Sequence, residues 1–151
     1  MVGRFLLRLI LEEAIRREEE AYRFYEAALG PVRAPEAQAL LRRLCAEELR
    51  HRLKLEELQR QGELEQELEA ASPEEAELLT DSGPAPAPGL ADLRPADIWR
   101  LALAKERLAV AHYGLLAGKA ALRPPRRVFA FLAREEQRHV DWVQAALEAE
   151  A

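Results

Sequence analysis

Two copies of one short string hold the residues best suited to chemistry: Glu47-Glu48-Leu49-Arg50-His51 and Glu135-Glu136-Gln137-Arg138-His139. In Glu48-x-x-His51 and Glu136-x-x-His139 a carboxylate and an imidazole stand three residues apart. On a helix that spacing places both on one face. Carboxylate and imidazole together form a ligand set suited to divalent metal cations. A further glutamate, Glu18 or Glu106, lies the same distance upstream of each string.

Four long helical segments must position these groups. The first is expected from about Gly3 to Leu29 and ends at Gly30-Pro31, a helix-stopping pair. The second runs from Pro35-Glu36 to about Arg60. The third starts at Pro95, a good first-turn proline, and reaches about Ala117 before Gly118. The fourth starts at Pro124-Pro125 and runs nearly to the C-terminus. No segment alternates with the period of a strand. Ser72-Pro73-Glu74-Glu75 reads as the cap of a short helix. The run from Ser82 to Gly89 reads as a stiff Pro/Ala linker. A pair of helices buries little surface alone, so the linker is expected to belong to a crossover and not to a domain boundary. The whole chain, 1–151, is then one domain: hairpin 1 at about 3–60, crossover at about 61–94, hairpin 2 at about 95–149. The fold class is all-α, an antiparallel four-helix bundle of two hairpins.

Shifting the sequence by 88 residues superimposes the halves without a gap. Ala14, Glu18, Ala21, Tyr25 and Gly30 meet Ala102, Glu106, Ala109, Tyr113 and Gly118. Leu44, Glu47, Glu48, Arg50 and His51 meet Leu132, Glu135, Glu136, Arg138 and His139. Spacings of three and four give each helix an inward seam. These are Leu7, Leu11, Ala14, Glu18, Ala21, Tyr25 and Ala28; then Leu41, Leu44, Glu48, His51, Leu55 and Leu58. The third helix gives Trp99, Ala102, Glu106, Ala109, Tyr113 and Leu116; the fourth gives Phe129, Leu132, Glu136, His139, Val143 and Ala146. Each seam is apolar at its ends and acidic in its middle. Each of the four glutamates lies twelve residues, about 18 Å of helix, from the turn of its hairpin. Face-to-face packing of the hairpins therefore brings four Glu and two His into one layer. A buried unpaired charge costs several kcal/mol, against a net stability of ~5–15 kcal/mol. Two divalent cations would offset four carboxylates. Partial protonation would do the same for a metal-free bundle, and a solvated position on the surface is the competing reading for any single glutamate.

These residues resemble the ferritin-like di-iron carboxylate proteins, and within them the rubrerythrin-like group. In that pattern two helices give one Glu each, and the other two give Glu-x-x-His. The resemblance covers both helix pairs. It implies Glu18, Glu48, His51, Glu106, Glu136 and His139 as metal ligands, with Glu48 and Glu136 bridging and Glu18 and Glu106 terminal. It implies two iron ions, with manganese as the alternative, and peroxide or O2 as the oxidant. It also implies that the hydroxyls of Tyr25 and Tyr113 hydrogen-bond ligand carboxylates, for which filling the core is an equal alternative. Rubrerythrins proper carry a four-cysteine iron domain, whereas Cys45 is the one cysteine of this chain. Electrons are therefore expected from an external donor such as a rubredoxin-like protein. Rubrerythrins also tend to carry a further Glu one turn after the third-helix ligand, where this chain has Ala109. Fe(II) handling without a reductant, and a helical module that metal only stabilises, are the alternative functions.

The flanking residues have simpler expectations. Glu47, Glu135, Arg50 and Arg138 should form surface ion pairs, Asp141 should be solvated, and His112 should lie on a flank. Cys45 should pack as a small side chain. Leu6, Leu9 and Ile10 form a second apolar stripe, suited to the crossover or to the partner in a homodimer. A net charge of −5 argues against nucleic acid. No run of 18 uninterrupted apolar residues suggests a membrane span, and the absence of a signal-like start and the lone thiol suggest a cytoplasmic protein.

Overall fold

A computed structural model describes residues 7–61, 72–80, 89–120 and 123–150. Its elements are α1 (Leu7–Ala28), α2 (Pro35–Arg60), α3 (Pro73–Thr80), a single 3-10 turn (Leu90–Asp92), α4 (Pro95–Lys119) and α5 (Arg123–Ala149). The chain is all-α, and no strand occurs among the described residues. No described helix is long and apolar enough to cross a membrane. The expected first turn at Gly3–Leu6 and the Pro/Ala run up to Pro88 lie outside the described residues.

Local chemistry sets the helix ends. Pro35 and Pro95 occupy the first turns of α2 and α4, where a missing N–H costs nothing. Gln38 Nε2 donates to the carbonyls of Leu29 and Val32, at 3.1 and 3.2 Å. That side chain ties the α1–α2 turn together. Ser72 and Glu75 form a reciprocal capping box at α3: Glu75 N donates to Ser72 Oγ at 3.2 Å, and Ser72 N donates to the Glu75 carboxylate at 2.8 Å. Gly89 takes a positive φ of 65° on entering the 3-10 turn, a conformation that glycine adopts without steric cost.

α1 packs on α2, α4 packs on α5, and α2 joins the two hairpins by packing on α5. Described residues of the crossover touch the bundle through α3 and through the 3-10 turn. α3 lies against α4, where Lys119 Nζ is 3.0 Å from Glu75, and the 3-10 turn lies against α1.

The core is split in two. One apolar cluster contains Leu11, Leu55, Leu116, Phe129 and Leu132, and the other contains Leu41, Leu44, Ile98, Trp99 and Val143. All ten side chains are fully buried, each worth roughly 1.5–3 kcal/mol in transfer from water. Between the clusters lies a polar layer, held level by helices that are apolar above and below it.

Candidate metal centre

The six residues singled out for metal come together in that layer. Glu18 sits on α1, Glu48 and His51 on α2, Glu106 on α4, and Glu136 and His139 on α5. All six are buried, with none more than 3% exposed. The imidazoles of His51 and His139 stack, with ring centroids 5.2 Å apart and planes 16° apart. Ligand-capable atoms of Glu48, His51, Glu136 and His139 lie within 4.8 Å of one another.

The distances separate shared from unshared carboxylates. His51 Nδ1 is 3.1 Å from Glu136, 3.6 Å from Glu18 and 3.8 Å from Glu48. His139 Nδ1 is 2.8 Å from Glu48, 3.0 Å from Glu136 and 3.6 Å from Glu106. Glu48 and Glu136 thus approach both imidazoles. Glu18 and Glu106 each approach the imidazole of their own hairpin.

The contacts are close but poorly satisfied. Glu18 Oε2, Glu48 Oε1, Glu136 Oε2 and His139 Nδ1 are buried without a hydrogen-bond partner among the described residues. His139 Nδ1 lies 2.8 Å from Glu48 Oε1, yet the pair does not have hydrogen-bond geometry. Lone pairs of several side chains point into common space instead of at protons. That arrangement fits cations, and the N/O donor set fits iron or manganese. Buried polar atoms are otherwise nearly always paired.

The electrostatics show the same crowding. Burial, then the charges of Glu136, Glu18 and Glu106, push Glu48 well above the usual carboxylate range. Burial, with Glu18 and Glu106, pushes Glu136 up to about 8. Burial would raise Glu18 too, but the adjoining Glu48 carboxyl and His51 imidazole, with the Tyr113 hydroxyl, prevail and bring it to about 2. Burial would lower His51, yet the adjacent carboxylates of Glu136 and Glu18 raise it to about 10. His139 is raised in the same way by Glu106, Glu136 and Glu48, against the effect of burial. Four carboxylates this close cannot all be ionised without added positive charge.

The two tyrosines brace the layer across the hairpins. Tyr25 Oη donates to Glu106, and Tyr113 Oη donates to Glu18. Each hydroxyl thus occupies one oxygen of the opposite hairpin's unshared glutamate. Burial first, then the adjacent carboxylates, hold both phenols well above their usual pKa.

Two flanking expectations need correction. Glu47 is no surface residue: it is 7% exposed, and its Oε2 lies 3.5 Å from Nε2 of His139, the nitrogen facing away from the layer. Arg43 and Arg50 approach it at 3.8 and 3.9 Å. Three- and four-residue spacing predicts one buried residue per turn at this level, whereas α2 buries the wider stripe Leu44, Glu47, Glu48 and His51. His112 is also buried, at 1% exposure, beside the Tyr113 ring. α4 packs on α5 and also meets α3 of the crossover. The other flanks are as expected. Glu135 pairs with Arg138, Asp141 is exposed and accepts from Gln137, and Cys45 is half-buried. The apolar stripe divides: Ile10 is buried, Leu9 is 52% exposed, and Leu6 lies outside the described residues.

Sequence reasoning passed over Trp142. It stacks on His139 at 5.4 Å, with the Arg43 and Arg138 guanidinium groups 4.1 and 5.0 Å from its ring centre. Its place at three residues from His139 is the signal that was available.

A cavity of about 60 Å³ reaches the layer between α1 and α4. Glu18, Glu48, Glu106 and Glu136 form its inner wall, and Ala21, Leu108 and Ala109 form an apolar side. It has room for a few water-sized molecules.

The family profile described as Rubrerythrin matches residues 9–146. No curated protein and no solved structure matches the chain.

Proposed function

The chain belongs to the rubrerythrin family, and on that footing we propose that its buried layer holds two iron ions and reduces hydrogen peroxide or O2. Manganese is the alternative metal for the same ligands. Glu18, Glu48, His51, Glu106, Glu136 and His139 would hold the pair, with Glu48 and Glu136 shared between the two ions. The reading is carried by one observation: four buried carboxylates and two imidazoles converge, and inner atoms of Glu18, Glu48, Glu136 and His139 are left without a hydrogen-bond partner among the described residues.

When bound, an iron pair supplies two one-electron reductants side by side, enough for the two-electron reduction of peroxide to water. The chain's own residues prepare the space. The two apolar clusters keep bulk water from both ends of the layer. The α1–α4 cavity admits a diatomic molecule or peroxide to the inner carboxylates. Tyr25 and Tyr113 fix one oxygen each of Glu106 and Glu18 and keep their protons. Glu47 faces the outer nitrogen of His139, where a carboxylate strengthens an imidazole ligand and sets its tautomer. An external electron donor, a homodimeric state and a cytoplasmic setting belong to the same proposal. Cys45 cannot provide a four-cysteine donor site within this sequence, and exposed Leu9 offers an apolar contact for a second copy.

Anaerobic titration of metal-free protein with Fe(II) is the test. The reading expects two irons per chain, then repeated turnover of peroxide once a reductant is added. A single oxidation of bound Fe(II) that no reductant accelerates would instead establish iron handling. Failure of both Fe(II) and Mn(II) to bind would overturn the metal centre.

A further inference from the structure

The α1–α4 cavity carries a feature that the metal ligands do not need. At its wall stand Arg17 and Lys105, each immediately before an unshared glutamate and equivalent under the 88-residue repeat. The Arg17 side chain is 14% exposed, and its Nε lies 3.4 Å from Glu13. Its Nη1 and Nη2 are buried without a hydrogen-bond partner among the described residues. Lys105 lines the cavity from α4, its Nζ 5.3 Å from the centre of the Phe24 ring. Among the described residues, the one acidic lining residue outside the ligand set is Glu20, and it pairs with Arg16.

A buried guanidinium with two open donor nitrogens is costly. Its planar fork matches a carboxylate, which accepts two parallel hydrogen bonds. Beside it, Ala21, Leu108 and Ala109 offer an apolar wall. The small volume limits the occupant to a few heavy atoms. We propose that this cavity binds a small monocarboxylate, gripped through its oxygens by Arg17, with Lys105 opposite and its alkyl end against the alanines. The inference rests on the metal-loaded centre, because four uncompensated carboxylates in the inner wall would repel an anion.

Acetate is the probe, titrated calorimetrically into iron-loaded and metal-free protein, with bound iron counted in every sample. One acetate per iron-loaded chain is expected, and none for the metal-free protein. Arg17→Gln should weaken acetate binding about 10- to 100-fold, the worth of a charged hydrogen bond out of water, while still holding two irons. Arg17→Lys keeps the charge but loses the fork and should also bind more weakly. Lys105→Gln should have the smaller effect. Two irons per chain with no acetate binding, or with equal acetate affinity in wild type and both Arg17 variants, would overturn this inference alone. A wild-type chain that takes up no iron would overturn the metal centre as well.

Discussion

The two hairpins carry the same four-residue framework on different surroundings. Glu18, Tyr25, Glu48 and His51 have equivalents in Glu106, Tyr113, Glu136 and His139. All eight are buried in one layer. The outer carboxylates differ. Glu47 is buried against His139, while its counterpart Glu135 is turned to Arg138. Phe24 of α1 becomes the buried His112 of α4. The repeat thus preserves what faces the common centre and lets the outside diverge. Inner groups are constrained by each other, whereas outer groups answer to whichever neighbour the crossover and the helix ends provide.

Removing shared ligands should have the largest effect. Glu48→Ala or Glu136→Ala takes away a carboxylate that approaches both imidazoles. Tight iron binding should fall below one per chain in either variant. Glu18→Ala or Glu106→Ala removes a group near one imidazole, and about one tight iron should remain. Equal losses in all four variants, measured by bound iron after desalting, would break the distinction between shared and unshared carboxylates.

The outer shell sharpens the comparison from the other side. Glu47→Gln should lower iron affinity about 10- to 100-fold, the usual effect of losing a carboxylate behind a histidine ligand. Glu135→Gln should lower it several-fold less. Competition with a chelator measures both. Equal effects would show that the outer carboxylates are as symmetric as the inner ones.

The inner framework was legible because its constraints repeat along the sequence. Glu48 and His51 fall on one helix face, Glu136 and His139 do so again, and equal distances to the turns level the four helices. Glu47 and His112 were not legible in the same way. Whether a residue at the edge of a seam is buried depends on how wide a stripe the neighbouring helix covers. α2 packs on both α1 and α5, and α4 meets both α5 and the crossover. Three- and four-residue spacing gives the centre of a stripe but not its width. Trp142 was missed for a related reason, since its stacking on His139 becomes visible only once both rings are placed.

The metal-free protein should lose stability as pH rises. Glu136, held at about 8, and His51, held at about 10, bind protons more tightly in the folded chain than in the unfolded one. Glu48 is raised as well. A raised folded pKa contributes stability that is fully present below the unfolded value and is lost as pH climbs through the folded one. Glu18, lowered to about 2, acts only in acid. Between pH 6 and 9 the melting temperature of metal-free protein should fall by more than about 5 °C, since ~1 kcal/mol corresponds to a few degrees at this size. Bound metal replaces those protons, so the loaded protein should show a much flatter profile. Parallel profiles for the two forms would mean that the layer is not where the protons reside.

The tyrosines give the smallest expected effect and the finest comparison of the halves. Tyr25→Phe and Tyr113→Phe each delete one hydroxyl and keep the ring, so packing against Phe24 or Phe129 is retained. Each leaves one oxygen of a buried glutamate without its donor. Such a loss costs about 1–3 kcal/mol, a fall of several degrees in the melting temperature of the metal-free protein. If the halves are equivalent at this level, the two falls should agree, because both hydroxyls cross to the unshared glutamate of the opposite hairpin. A larger fall for Tyr113→Phe would trace to Glu18, which is held near 2 partly by the Tyr113 hydroxyl and so loses a donor to an ionised carboxylate. The ratio of the two melting shifts therefore measures how far the repeat's symmetry extends beyond the atoms that face the centre.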